Sequence, residues 1–104
     1  MDAYRLLIKP SAAKELEAVA KEDRRRIVRR IEGLSADPRP SGCEKLSGED
    51  KYRVRQGDYR AISLVSDQRH EVVVFKIGHR REVYRQPADL RYHNQIYEIA
   101  VMSH

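Results

Sequence analysis

Apolar and charged residues alternate over residues 3–9 (AYRLLIK), with Tyr4, Leu6 and Ile8 set against Arg5 and Lys9. A two-residue period of this kind predicts a strand with one buried face. The period then changes. Ala12, Leu16, Val19 and Ala20, followed by Ile27, Val28, Ile31 and Leu34, recur at helical spacing. Pro10-Ser11 closes the strand, and Ser11 is the expected N-cap of the helical segment. One unbroken helix from 12 to 35 would run about 36 Å at about 1.5 Å per residue. A chain of this size has a radius of gyration of about 13 Å. The segment is therefore expected to break near Lys21–Asp23 into two antiparallel helices, with Glu22 and Asp23 at the positive N-terminus of the second.

SADPRPSGCEKLSGED (35–50) carries prolines, glycines and an Asp-Pro step and reads as a loop. KYRVRQ (51–56) and YRAISLVS (59–66) have strand patterns and are joined by Gly57-Asp58, the Gly-X sequence of a two-residue type II′ hairpin turn. EVVVFKI (71–77) is a continuous apolar run, expected in the middle of a sheet. The order of elements predicts an α+β fold: an N-terminal strand, an antiparallel helical hairpin, then three antiparallel strands in a small, mostly antiparallel sheet. At 104 residues the chain supports one core. We expect a single domain over residues 1–85 and a C-terminal extension over 86–104. In the extension, Leu90, Ile96, Tyr97, Ile99 and Val101 suggest an added strand or short helix.

The register of the hairpin gives the pattern a chemical meaning. A two-residue turn pairs Gln56 with Tyr59, Arg55 with Arg60, Val54 with Ala61 and Arg53 with Ile62. Arg53, Arg55 and Arg60 then share one face, and Tyr52, Val54, Tyr59 and Ala61 share the other, where the tyrosines pack. Like charges placed directly opposite one another are destabilising. A cluster of arginines on a sheet face therefore calls for an anion. The central apolar run leads directly into GHRREVYR (78–85), which adds His79, Arg80, Arg81 and Tyr84. The polar face of the second helix carries Arg24, Arg25, Arg26, Arg29 and Arg30 and reads, from the residues alone, as a solvated surface.

Composition agrees with an anionic partner. Charged residues make up 36% of the chain, the formal net charge is +5 and the isoelectric point is near 9.6, which favours a polyanion or an acidic protein. No apolar run approaches the length of a membrane span, so no membrane partner is expected. Cys43 is the only cysteine. With no secretory leader pattern, a cytoplasmic location is expected. His70, His93 and His104 have no metal-ligand spacing with Cys43, and neither a metal nor another cofactor is expected.

Taken in order, YRVRQGDYRAISLV followed by VVVFKIGHRREVYR resembles the C-terminal half of the RelE/ParE superfamily of bacterial toxin–antitoxin toxins. The N-terminal strand, the arginine-rich helical hairpin and the DPRPSGCEKLSG loop extend the likeness over about residues 3–85. Similarity to the RelE branch implies a RelE-like, microbial-ribonuclease-like fold. It also implies a ribosome-dependent, metal-independent endoribonuclease (an mRNA interferase) that cuts mRNA in the A site through attack by the substrate's own 2′-hydroxyl. Carried over by position, the catalytic residues would be Arg53, Arg55, Arg60, Arg80 and Tyr84, with His79 and Arg81 as further candidates. Arg24, Arg25, Arg29 and Arg30 would bind RNA.

The residue types suit that chemistry. Guanidinium groups hold phosphate oxygens bidentately and stabilise the extra charge of a phosphorane. A phenol titrates near about 10, and neighbouring arginines favour its phenolate, which makes Tyr84 a base candidate. An imidazole titrates closer to neutrality, which keeps His79 as the alternative. Glu82 reads as a local partner for arginine. The implied partners are an acidic or amphipathic RelB-like antitoxin, the ribosome with its mRNA, and operator DNA only through the antitoxin complex. Two other readings stand beside this one: a ParE-like toxin that inhibits DNA gyrase without nuclease activity, and an inactive RNA-binding relative.

Overall fold

The computed structural model describes residues 3–46, 50–81 and the backbone of 97–98. Its elements in chain order are β1 (Arg5–Ile8), α1 (Pro10–Glu17), α2 (Lys21–Glu32), a 3₁₀ turn (Gly33–Ser35), β2 (Glu44–Lys45), β3 (Lys51–Gln56), β4 (Tyr59–Ser66), β5 (Glu71–His79) and β6 (Tyr97–Glu98). The strands form one sheet in the order β2-β3-β4-β5-β1-β6. Every pairing is antiparallel except β1 with β5, which is parallel. The α+β expectation is met, with a radius of gyration of 12.5 Å.

Local chemistry explains where the helices begin and end. Helix α1 starts one residue before the expected cap: Pro10 sits in its first turn, and Lys9, in extended conformation, is the N-cap. Proline's fixed φ suits the first helical position, where its missing N–H is not needed. Ser11 is therefore inside the helix. The break falls at Ala18–Ala20, ahead of the expected Lys21–Asp23, because Ala20 is already extended and caps α2. The Arg24 guanidinium donates to the Glu17 carbonyl (3.1 Å), which satisfies an orphan acceptor at the end of α1. Glu22 and Asp23 lie in the first turn of α2, and Arg29 and Arg30 in its last, as the helix dipole favours.

The helices cover one face of the sheet. The core joins Leu6 and Ile8 of β1, Ala12, Leu16, Val19, Ile27, Ile31 and Leu34 of the helical layer, and Tyr52, Val54, Ala61, Val65, Val72, Val74 and Ile77 of the sheet. On the opposite, outer face, Ile62 and Phe75 form a smaller buried cluster against Leu46 and Leu64. The register shift between Ile62 and Ser63 makes both clusters possible. A bulge bends the sheet and re-aims side chains beyond it. Past the end of β1, Ile77 has no strand neighbour on that side among the described residues. There the Glu15 carboxylate of α1 takes the place of a strand, accepting from the Ile77 N–H (2.9 Å) and the Lys76 ammonium (2.8 Å).

Two features of the 35–50 loop depart from the sequence reading. Its end forms the short strand β2, and Arg39 anchors it to the far end of the sheet. The Arg39 guanidinium makes a bidentate pair with Asp67 (3.1 and 3.0 Å) and donates through Nε to the Tyr52 hydroxyl (2.8 Å). Tyr4 donates its hydroxyl to the same Asp67 carboxylate (2.6 Å) and stacks on His70. Hydrogen bonds from Arg39 and Tyr4 hold the Asp67 carboxyl below its ordinary range, and the Asp67 carboxylate raises the Tyr4 phenol above its own. Among the described residues no helix is long and apolar enough to cross a membrane.

Candidate nucleic-acid interface

Strand β3 pairs with β4 in the predicted register, Arg55 opposite Arg60, Arg53 opposite Ile62 and Gln56 opposite Tyr59. Gly57 has a φ of +60° and Asp58 does not enter the positive region, so only the first central residue is left-handed, as a type II′ turn requires. Arg53, Arg55 and Arg60 therefore lie on the outer face, away from the helices, at the end of the sheet nearest this turn. Tyr52 is buried on the inner face and Tyr59 packs half-buried against the same core, in keeping with packing roles.

Each arginine is held differently. Arg53 is paired with Glu44, its cross-strand partner on β2. The Arg60 guanidinium curls back to donate to the carbonyls of Gly57 and Tyr59 (both 3.0 Å). Arg55 is exposed. Its backbone carbonyl accepts from Arg30 Nε of α2 at 3.4 Å.

Strand β5 extends two residues beyond the predicted 71–77, through Gly78 and His79. Gly78 lies opposite Arg60 and His79 opposite Tyr59. His79 is thus on the inner side of the sheet, its ring edge-on to Tyr59 at 5.6 Å, while its Nδ1 accepts from the Arg81 N–H (3.3 Å). The imidazole does not join the arginine face. Arg80 does come to the hairpin turn: its N–H donates to the Asp58 carbonyl (2.8 Å) and its Nε lies 3.9 Å from the Asp58 carboxylate. Arg81 is exposed beside it. Tyr84 and Glu82 lie outside the described residues.

The helical arginines occupy another layer. Arg24 is engaged with the end of α1, and Arg26 pairs with Glu22 and Asp23 at 3.7 Å each. Arg25 and Arg29 are exposed on α2. Only Arg30 reaches the edge of β3 that carries Arg55. The structure thus brings Arg53, Arg55, Arg60 and Arg80 to one end of the sheet and leaves Arg24, Arg25 and Arg29 apart from them. Sequence reasoning missed the groups that position this set, Glu44 and Asp58. Asp58 was visible in the hairpin turn; Glu44 was concealed because a two-residue strand has no periodicity.

Guanidinium groups gathered from two strands and a turn can bind phosphate oxygens and stabilise charge that develops on one of them. The family described as the ParE toxin of type II toxin–antitoxin systems (parDE) matches residues 6–84. No curated protein sequence matches the chain. Among solved structures, a mutant E. coli toxin RelE in the free state superposes with a TM-score of 0.70 at 25% identity, covering 86% of this chain and 99% of that one. An archaeal RelE–RelB complex from Pyrococcus horikoshii gives 0.66 at 28% identity, covering 75% and 96%. The intact E. coli RelBE toxin–antitoxin complex gives 0.67 at 23%, covering 74% and 96%, a likeness of fold. A basic sheet end on this scaffold, with the family match spanning β1 to beyond β5, makes the chain a type II toxin–antitoxin toxin of the RelE/ParE superfamily.

Proposed function

We propose that this toxin is a ribosome-dependent endoribonuclease that cleaves mRNA in the A site. The observation that carries the reading is the direct opposition of Arg55 and Arg60, with Arg53 beside them and Arg80 docked on the same turn. Such a cluster is costly without an anion. In the reaction, the 2′-hydroxyl of the substrate gives up its proton to a base and attacks the adjacent phosphorus. The bond to the 5′-oxygen breaks and that oxygen takes up a proton, leaving a 2′,3′-cyclic phosphate and a 5′-hydroxyl. Arg53, Arg55, Arg60 and Arg80 stabilise the phosphorane. His79 faces the helices, so the base is assigned to Tyr84, four residues beyond Arg80. Arg25 and Arg29, with Arg24 and Arg30, would contact ribosomal RNA from the helical layer.

The partner that holds the toxin inactive is an antitoxin with an acidic or amphipathic segment, as the basic sheet end and the RelB complexes among the structural relatives suggest. Operator DNA would be reached through that complex. Programmed ribosomes carrying labelled mRNA test the activity. We expect A-site cleavage, lowered about 10²–10³-fold by Arg80→Ala and about 10²–10⁴-fold by Tyr84→Phe. Absence of cleavage by the wild type overturns the nuclease reading. A second reading follows from the ParE family match: inhibition of DNA gyrase without RNA cleavage, read by a supercoiling assay on the same preparation.

A further inference from the structure

Two of the four arginines at the sheet end already hold a carboxylate of the same chain. Glu44 reaches Arg53 from the neighbouring strand β2, and Asp58 lies beside Arg80 from the hairpin turn. Both carboxylates are more than half exposed, at 59% and 66%, so they stand at the rim of the face and are not buried in it. Their elements suit that position. Strand β2 is an edge of only two residues, and Asp58 follows a left-handed glycine at a turn tip. A carboxylate that meets a guanidinium offers the same two oxygens that a phosphodiester would offer.

We propose that Glu44 and Asp58 are internal competitors for the phosphates of the RNA ligand, holding Arg53 and Arg80 in the free protein and opposing any anion too weakly charged to displace them. The inference rests on the RNA-binding reading of the arginine face and adds a threshold to it. In the free protein the carboxylates offset the repulsion between neighbouring guanidinium groups. When a phosphate backbone arrives, each carboxylate must give up its arginine or remain close to a phosphate of like charge. A single inorganic phosphate gains too little to drive that exchange. A polyanionic strand engages Arg55 and Arg60 first, and its next phosphates then compete for Arg53 and Arg80. Glu44 and Asp58 thus select for chain length and lower affinity at the same time.

The test uses the full chain and a short fluorescein-labelled oligouridine, with Kd measured by anisotropy across a salt series. Inorganic phosphate serves as competitor. Glu44→Gln and Asp58→Asn remove one negative charge each. Glu71→Gln is the control: it removes the same charge from an arginine pair, Arg5–Glu71 at 3.2 Å, at the opposite end of β5. We expect Glu44→Gln and Asp58→Asn to tighten oligouridine binding about three- to tenfold at low salt. The slope of log K against log salt should steepen by about 0.7 per substitution, the increment for one more phosphate contact on a single strand. Inorganic phosphate should displace the strand at lower concentration from both variants than from the wild type. Thermal melting of the ligand-free protein should meanwhile fall for Glu44→Gln, separating lost stability from gained affinity.

Binding that is unchanged or weakened in both variants, with the wild type binding normally, overturns the proposal and leaves the RNA-binding reading intact. An equal gain for Glu71→Gln also overturns it, since net charge alone would then explain the effect. Failure of all four proteins to bind overturns both readings.

Discussion

At the scale of single residues, one side-chain polar atom among the described residues is buried without use. Ser63 is fully buried on the inner face, and its hydroxyl has no hydrogen-bond partner among the described residues. It stands at the register shift, where β4 changes its pairing with β5. A buried hydroxyl without a partner costs about 1–3 kcal/mol of desolvation. Removing it while keeping the backbone should recover part of that, so Ser63→Ala is expected to raise stability by about 1 kcal/mol. Urea unfolding monitored by circular dichroism checks this, and a loss of stability would mean that the hydroxyl has a partner after all. Arg39 is the opposite case, a loop residue whose three guanidinium nitrogens all donate a hydrogen bond. Nothing in its neighbourhood announces this, since Tyr52 and Asp67 lie 13 and 28 residues away. The one local signal is its place between Pro38 and Pro40, which restricts the backbone on both sides.

At the scale of elements, a side chain completes strand β5. The Glu15 carboxylate supplies the acceptor that Ile77 would otherwise find in a neighbouring strand, and it meets the Lys76 ammonium in a partly buried site. Glu15→Ala leaves the Ile77 N–H without its acceptor and uncovers a charge that is 11% exposed. We expect a loss of about 1–3 kcal/mol. Hydrogen exchange should quicken at Ile77 more than at Val72 or Val74, which lie within the β1 pairing. Uniform quickening along β5 would instead indicate general destabilisation. The elements also show what a sequence exposes and what it conceals. The Gly57-Asp58 turn fixed the whole β3–β4 register, because a two-residue loop with one left-handed position admits only one pairing. The parallel partnership of β1 with β5 joins residues 66 apart and has no local signature. The bulge likewise arises from packing two apolar clusters on opposite faces, which no single strand's alternation records.

At the scale of the molecule, the sheet has two differently built ends. One gathers arginines; the other is tied by Tyr4, Arg39, Tyr52, Asp67 and His70. The tied end makes a pH-dependent contribution to stability. Asp67 has a carboxyl held below its unfolded value of about 4, so its contribution is present above that pH and is lost as pH falls through the lower folded value. Tyr4 has a phenol held above its unfolded value of about 10, so its contribution is complete below that pH and is lost as pH rises through the higher folded value. Both shifts pass through Asp67: hydrogen bonds from Arg39 and then Tyr4 lower its carboxyl, and its carboxylate raises the Tyr4 phenol. Asp67→Asn should therefore lower the melting temperature on the plateau between about pH 4 and 10 and flatten both limbs. A melting curve taken across pH reads this directly, and limbs that keep their wild-type slope would assign the pH dependence to other groups.

A hairpin tip is ordinarily where a chain accepts an inserted peptide or a new pair of termini. The Gly57-Asp58 tip is closed to such editing. Its Asp58 carbonyl receives the Arg80 N–H and its Gly57 carbonyl receives the Arg60 guanidinium, so an arginine of β4 and one just past β5 take their bearings from one peptide turn. The opposite tip is committed through Asp67. For labelling or circular permutation, an accommodating point among the described residues is the exposed Ser41-Gly42 step, where a left-handed glycine already turns the backbone.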